Sequence, residues 1–376
     1  MPINTGLAQL SNAALVSAIV LYALAMLAYA GDFAFGKHRT AAAPQARVPE
    51  LVGAGAPVAA AAGAAAADQA GLAFPADPRD PSELADLDSR QTGQAGDGGL
   101  LTRNAAGFSA PPGSPASQSR WPAGAWLRGA FLLTCAGLVI QIAAIATRGL
   151  AEHRAPWGNM YEFIAAITCT AVLVLTVAAI RFRAYYMGLF VLLPVVLALA
   201  VDVVVIYTPA EQLVPALKSY WIAIHVTAMI IAIGMYIFGA VVTVLYLLTA
   251  RHERRVAAGQ ESRAAGIIAQ LPGSGTLDRL SYRAILFAFP AWTFAVIAGA
   301  IWADQAWGRY WAWDPKETWS FITWLVYAAF LHARATAGWR GRRAAYIHLT
   351  GFVCLMFNLV GVNLWITGLH SYAGMG

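Results

Sequence analysis

The chain has 376 residues, of which 59% are hydrophobic and only 12% are charged, and its formal net charge is +6. In soluble domains roughly a quarter of the residues are charged, so this composition excludes a soluble globular protein of this size. The basic residues lie between apolar runs and form no continuous patch, which argues against nucleic acid as a partner and leaves the lipid bilayer as the solvent.

Apolar runs recur along the chain at the length of about 20 residues that a bilayer crossing requires. There are eight, at 11–35, 126–147, 160–181, 185–206, 220–249, 284–303, 319–337 and 345–367. The first has no basic leading region and no small-residue cleavage site, so it is interpreted as an anchor rather than a cleaved signal peptide. The expected fold class is an all-α polytopic membrane protein with about eight transmembrane helices.

Loop charges predict how these spans are oriented in the plasma membrane. Sixteen Lys and Arg residues lie at one set of span ends and five lie at the other. Because cytoplasmic loops are enriched in Lys and Arg, the first set is assigned to the cytoplasm. Both termini are then extracytoplasmic, as is the loop between the sixth and seventh spans.

The chain is predicted to contain three regions. Residues 1–37 hold the first transmembrane helix. Residues 38–122 are rich in Ala, Gly, Pro, Asp and Ser, cannot bury enough apolar area to offset chain entropy, and are predicted to form a disordered cytoplasmic insert. Residues 123–376 are predicted to form a seven-helix core, with a short amphipathic helix within 257–282.

Residues 302–319, called here the tryptophan segment, contain an unusual density of indoles. Four of them surround an Asp-Pro-Lys-Glu turn: Trp307, Trp311, Trp313 and Trp319. An aromatic belt at the headgroup level explains one or two rings per helix end, but not this density. The segment therefore predicts a flat platform for a large planar ligand, with Asp314, Lys316 and Glu317 pairing with one another or orienting a polar edge of that ligand.

Two histidines are predicted to lie on the same side of the membrane as this segment. His225 lies about 7 Å inside the outer end of the fifth span, and His370 follows the eighth span. A single histidine in a helix usually has a structural, hydrogen-bonded role, but two beside an indole platform favour a ligand pair. A planar ligand with a central metal held by imidazoles is heme.

A third histidine, His332, is predicted to lie deeper in the membrane. It is about 18 Å from the outer end of the seventh span, too deep to serve the platform. An ionisable residue within a span is a functional candidate, so His332 is assigned to a second, inner heme. His348, at the inner end of the eighth span, is a weaker candidate.

The residues of the tryptophan segment resemble the WWD signature of heme-handling proteins, through Trp307, Gly308, Trp311, Trp313, Asp314, Pro315, Lys316, Glu317 and Trp319. The wider pattern resembles the CcsA/ResC branch of the system II cytochrome c biogenesis machinery, over about residues 125–376. Further similar segments are 156–162, of the form Pro-x-x-Asn-x-Tyr-Glu, 221–225, 331–334 and 368–372.

The resemblance implies a set of heme contacts. His225 and His370 would be the axial ligands of an external heme b. His332 would ligate a transmembrane heme whose other ligand comes from a membrane partner of the ResB (or CcsB) type. The external heme would also be contacted by residues of the tryptophan segment: Trp307, Trp311, Trp313, Asp314, Glu317 and Trp319.

The resemblance also implies a function as part of a holocytochrome c synthase, or heme lyase. Heme would move to the outer side and be positioned for thioether bonding to the C-x-x-C-H motif of an apocytochrome c. A thiol-reducing, thioredoxin-like protein is a further expected partner. The chain needs no catalytic nucleophile of its own, which agrees with its three isolated cysteines, Cys135, Cys169 and Cys354.

Two features depart from the family pattern: no ResB-like domain is recognised within these 376 residues, and the 38–122 insert has no assigned counterpart in that pattern. Two other functions stay open from the sequence. One is a heme relay or exporter that makes no thioether bond. The other is a transporter of a non-heme substrate with an ordinary aromatic belt, for which a purified protein without a Soret band would be the signature.

Overall fold

The computed structural model describes residues 3–35, 122, 124–211, 219–260, 265–336 and 338–370. Within these residues the regular secondary structure is entirely helical. The predicted insert at 38–122 lies, apart from Pro122, outside the described residues, and its disorder stays a prediction.

Ten α-helices follow one another in the described chain: α1 (Thr5–Phe35), α2 (Ala125–Glu152), α3 (Met160–Phe182), α4 (Gly188–Val201), α5 (Tyr220–Ala257), α6 (Ala265–Ile268), α7 (Ser274–Trp307), α8 (Pro315–Ala335), α9 (Arg342–Met356) and α10 (Val362–Trp365). A 3₁₀ turn at Tyr185–Met187 leads into α4. One π-helical turn, Asp202–Ile206, continues α4, and another, Phe357–Gly361, joins α9 to α10.

Seven of the predicted spans are confirmed as helices long and apolar enough to cross a membrane within the described chain: Thr5–Phe35, Ala125–Glu152, Met160–Phe182, Tyr185–Ile206, Tyr220–Ala257, Ser274–Trp307 and Arg342–Trp365. The predicted span 319–337 also forms a helix, α8, of 21 residues. Its sequence is more polar, with Lys316, Glu317 and Arg334 within it, and α8 is not among the seven.

Several helices continue beyond the apolar runs that predicted them. The run at 284–303 becomes α7, which already begins at Ser274, and the run at 220–249 becomes α5, which ends at Ala257. Hydropathy detects the part of a helix that suits lipid, whereas the backbone hydrogen bonds of the helix continue into its polar ends. The segment predicted to hold an amphipathic helix contains the four-residue α6 and the first turns of α7.

The surface of the bundle is apolar. Large side chains such as Phe35, Val204, Phe287 and Val353 are mostly exposed on helix faces. Soluble monomers rarely expose contiguous apolar surface of this extent, whereas lipid solvates it. The all-α, polytopic membrane fold predicted from composition is therefore confirmed.

Small residues and hydrogen-bonded polar side chains lie where α1 packs against α2. The Tyr22 ring lies on Gly137, where an added Cβ would come within 2.5 Å of the ring. The Tyr22 hydroxyl donates to Gln141 Oε1 at 2.7 Å, and Gln141 Nε2 donates to the Ala165 carbonyl oxygen at 3.0 Å. Close backbone approach and interhelical hydrogen bonds are the interactions that hold membrane helices together.

A second buried cluster joins α5, α7, α8 and α9. Tyr236, Trp292 and Tyr327 are fully buried at its centre, and the rings of Tyr236 and Tyr327 stack with centroids 4.0 Å apart. Trp292 Nε1 donates to the Ser320 carbonyl oxygen at 3.3 Å, which ties α7 to α8. Of these three rings, Trp292 also lines the cavity described next.

Candidate functional site

A cavity of about 180 Å³ lies at the end of the bundle where α7 ends and α8 begins. Its lining comes from α3 and the loop before it, from α5, α7, α8 and the loop between the last two, from the end of α9 and the turn after it, and from His370. Most of the lining is apolar, and five indoles contribute to it: Trp157, Trp292, Trp302, Trp307 and Trp311. An apolar, aromatic cavity with a few polar groups is the usual form of a small-molecule site.

His225 reaches the cavity from the second turn of α5. Its Nδ1 lies 2.7 Å from the Ala295 carbonyl oxygen on α7. A carbonyl oxygen only accepts hydrogen bonds, so the neutral imidazole carries its proton on Nδ1 and its lone pair on Nε2. Gly299 makes this placement possible, because a Cβ there would lie 2.6 Å from the ring. Hydrogen bonding of the second nitrogen is typical of histidines that ligate metals.

His370 reaches the same cavity from the other end of the described chain. Its Nδ1 lies 2.8 Å from Asp314 Oδ2, and the backbone N–H of Leu369 donates to Asp314 Oδ1. Burial alone would raise the pKa of Asp314, but the hydrogen bonds from His370 and Leu369 outweigh it and hold the pKa below its usual range. Asp314 is therefore an anionic clamp that orients the His370 ring.

Trp302 contacts both histidines. Its ring lies parallel to that of His225, with centroids 6.2 Å apart and an interplanar angle of 8°, and its centroid is 5.8 Å from that of His370. Trp307 also packs edge-on against His370 at 5.0 Å. The structure thus brings the two predicted ligands together around one indole. Trp302 itself, at the start of the tryptophan segment, was not among the predicted contacts.

The tryptophan segment is held by a capping box at the start of α8. Glu317 Oε2 accepts the backbone N–H groups of Ala312 and Asp314, while Asp314 Oδ2 accepts that of Lys316. Asp314 and Glu317 therefore bind backbone groups at the helix start, as capping boxes do. The predicted pairing of these two carboxylates with Lys316 is not what organises the turn.

The indoles of this segment do not form one flat platform. Trp307 and Trp311 line the cavity. Trp313 is 66% exposed, has a φ of 58° and meets the Trp311 ring at 89°. Trp319 packs against Phe357, with centroids 4.3 Å apart. The prediction of a planar surface fails because the capping turn points successive side chains in different directions.

His332 lies apart from this site. It is exposed in the last turn of α8 and is not among the cavity-lining residues. Nearby, Arg334 makes a bidentate ion pair with Asp278, both distances being 2.9 Å. His348 is buried, with Nδ1 2.7 Å from the Thr243 hydroxyl. The role of His332 in a second heme site stays a prediction.

Lys316 is the cation of the cavity lining. Its side chain is half-buried. Burial lowers the pKa of its ammonium group to about 8, with Asp314 partly opposing the shift. An anionic ligand would relieve the desolvation cost of this charge.

Glu162 at the start of α3 supports the cavity without lining it. It accepts hydrogen bonds from Arg148 Nε at 3.1 Å, from Arg154 at 2.8 and 3.1 Å, and from the Gly158 N–H at 2.9 Å. This network holds the loop that carries Trp157 into the cavity wall. The resemblance of segment 156–162 to the family pointed to Glu162 in the sequence. It did not indicate that Glu162 supports the loop that carries Trp157.

Fold and site together define a class: a polytopic, all-α membrane protein whose helix bundle holds two histidines at an indole-lined cavity. The model of the cytochrome c assembly protein family matches residues 157–370, more than half of the chain, so the chain belongs to this family. The match begins at Trp157 and ends at His370, and so includes every cavity-lining residue. Membership places the chain in cytochrome c biogenesis and implies that it handles heme alongside apocytochrome c and partner proteins.

Proteins of similar sequence are also named as cytochrome c biogenesis proteins. The cytochrome c biogenesis protein CcsA of Guillardia theta is 37% identical over 260 residues, covering 65% of this chain and 84% of that protein. The CcsA protein of Gloeobacter violaceus is 36% identical over 276 residues, covering 61% and 81%. The CcsA protein of Synechococcus elongatus is 41% identical over 198 residues, covering 43% and 61%.

Proposed function

We propose that the chain exports heme b, binds it in the cavity between α5, α7 and α8, and presents it for covalent attachment to the C-x-x-C-H motif of apocytochrome c. His225 and His370 are the axial ligands in this proposal. The observation that carries it is their shared geometry: each has Nδ1 bound to an oxygen acceptor, and both rings contact Trp302.

The residues present suit a porphyrin. Imidazoles with their lone pairs on Nε2 match a metal centre, and the indoles of Trp157, Trp307 and Trp311 offer apolar faces to a planar macrocycle. Lys316 supplies a cation for an acidic group. In this proposal the site lies on the extracytoplasmic side of the plasma membrane, which agrees with the distribution of loop charges.

The attachment step takes its nucleophiles from the apocytochrome. A cysteine S–H adds across a vinyl C=C, so that an S–C bond forms and the proton goes to the other vinyl carbon, with no net oxidation. The chain has to hold the vinyl group in near-attack geometry and exclude competing water. The thiols must stay reduced until then, which is the task of the proposed thioredoxin-like partner.

The proposal makes this chain the heme-handling subunit of a complex with a ResB-type partner. His332 supports that arrangement, because its exposed position on α8 leaves the imidazole accessible to a neighbouring subunit. A transmembrane heme ligated by both proteins would deliver heme from the cytoplasmic side to the cavity.

The test is the absorption spectrum of the purified protein and the yield of cytochrome c in cells. His225→Ala and His370→Ala are expected to weaken heme binding and shift the Soret band, and added imidazole should restore the spectrum by occupying the vacated axial position. His252→Ala, outside the cavity, is the control. An unchanged spectrum and an unchanged cytochrome c yield in both cavity variants would overturn the assignment.

A further inference from the structure

Polar side chains from α8 and from the turn after α9 line part of the cavity. Lys316 and Ser320 lie one turn apart on the same face of α8. Asn358, in the π-helical turn after α9, adjoins them, and its Nδ2 donates to Ser320 Oγ at 2.9 Å. Other lining residues are apolar, such as Phe163, Met229 and Val296.

The side chain of Asn358 leaves a polar atom unsatisfied in this wall. The residue is 7% exposed, and its Oδ1 has no hydrogen-bond partner in the described part of the chain. Rotating the amide by 180° about the Cβ–Cγ bond exchanges Oδ1 and Nδ2. The Ser320 hydroxyl then donates to Oδ1, and the NH₂ group faces the cavity. Buried polar atoms of this kind are normally satisfied, so a ligand or water is expected there.

The ammonium group of Lys316 also has no hydrogen bond or ion pair among the residues that the structure describes. The acidic groups closest to it in the chain are already engaged. Glu317 Oε2 accepts two backbone N–H groups, and Asp314 accepts those of Lys316 and Leu369 as well as binding His370. The cavity wall therefore presents a cation whose charge is not balanced by a direct partner.

We propose that Lys316, Ser320 and Asn358 form a carboxylate-binding subsite of the cavity. The ammonium group of Lys316 and the amide NH₂ of Asn358, which the Ser320 hydroxyl holds in this orientation, provide hydrogen bonds to the two oxygens of a carboxylate. The inference rests on the proposed function and assigns the subsite to one propionate of the porphyrin. Binding there fixes how the macrocycle is rotated between its axial ligands, and hence which edge faces the opening.

The experiment compares hemin with hemin dimethyl ester, in which both propionates are esterified, by Soret titration of the purified full chain in nanodiscs. Lys316→Met is expected to weaken hemin binding about 10-fold and Asn358→Leu about 5-fold, while neither changes the affinity for the ester. The retained ester affinity also shows that each variant is folded. Arg309→Met, which removes an exposed cation of the same segment that does not line the cavity, is the control and should bind hemin normally.

The outcomes separate this inference from the proposed function. Wild-type protein that binds neither hemin nor its ester overturns the proposed function. Wild-type protein that binds both equally, with Lys316→Met unchanged toward hemin, overturns only the subsite. A loss of hemin affinity in Arg309→Met as large as that in Lys316→Met also overturns it, because the effect would then come from the general charge of the segment.

Discussion

Asp314 is the residue on which the geometry of the site most depends. Its carboxylate binds the first turn of α8 through the Lys316 N–H and the 368–370 segment through Leu369 and His370. Gly368 leaves room for this contact, because a Cβ there would lie 2.6 Å from Asp314 Oδ1. Since its folded pKa is lowered, the stability that Asp314 contributes is present above a pH of about 4 and is lost as pH falls through the folded pKa.

Asp314→Asn is expected to weaken hemin binding by about 10- to 100-fold, as loss of a carboxylate behind a ligating imidazole usually does. The amide keeps the size of the side chain but not the negative charge that orients the His370 ring. Soret titration measures the effect. Asp304→Asn, in the last turns of α7 and outside the cavity lining, is the matched control. Equal hemin affinities in the two variants would contradict the role of Asp314 in orienting His370.

At the scale of elements, the loop between α2 and α3 depends on a buried ion cluster. Glu152 and Glu162 are paired with Arg148 and Arg154 at distances of 2.7 to 3.1 Å, and all four side chains are largely buried. Two acids balance two bases here. Such a cluster is weak evidence for net stability, but removing one member leaves a buried charge uncompensated.

Glu162→Gln is therefore expected to lower the free energy of unfolding by about 3 kcal/mol and to displace the loop that carries Trp157. Thermal unfolding in detergent and the hemin affinity are the two measurements. Glu253→Gln makes the same substitution on the exposed last part of α5, where the side chain accepts hydrogen bonds from Ser274 that a glutamine partly keeps, and should lower the melting temperature much less. If the Glu162→Gln protein is as stable as that control, the ion cluster does not position the loop.

At the scale of the whole molecule, His332 lies outside the cavity. In the purified chain, His332→Ala should leave the hemin affinity of the cavity unchanged, because His332 does not line it. In cells, the same variant should lower the heme that reaches the cavity, if delivery passes through a heme shared with a partner. Normal heme occupancy in cells would make the two-site route wrong.

The insert is predicted to be a passive linker between the first helix and the core. The family match begins at residue 157, beyond the insert. Deletion of residues 40–118 is expected to leave membrane insertion and cytochrome c yield intact. Western blotting of the membrane fraction and heme staining of cytochrome c measure the two. Complete loss of maturation with normal membrane levels of the deletion variant would show that the insert has a role of its own.

Much of the fold was predictable because membrane crossing is a local property. About 20 apolar residues in a row are visible in the sequence without knowledge of neighbours, and the predicted spans agree with the helices found. α8 shows the limit: the apolar run at 319–337 predicted a span, and the segment is helical, but this helix is more polar than the others and is not among the seven that are apolar enough to cross. The density of indoles likewise marked the site before its geometry was known.

What the sequence by itself determined was the class of protein, the helical spans and the residue types of the site. Only the tertiary structure decided which of these residues meet. Asp314 and His370 are 56 residues apart, and His225 and its acceptor Ala295 are 70 apart. Such pairs depend on how α5, α7 and α8 are rotated and shifted against one another, and periodicity within one helix carries no information about the register between two. For the same reason the indoles were predicted as one plane, whereas the structure places Trp307 and Trp311 at the cavity, exposes Trp313 and packs Trp319 against Phe357.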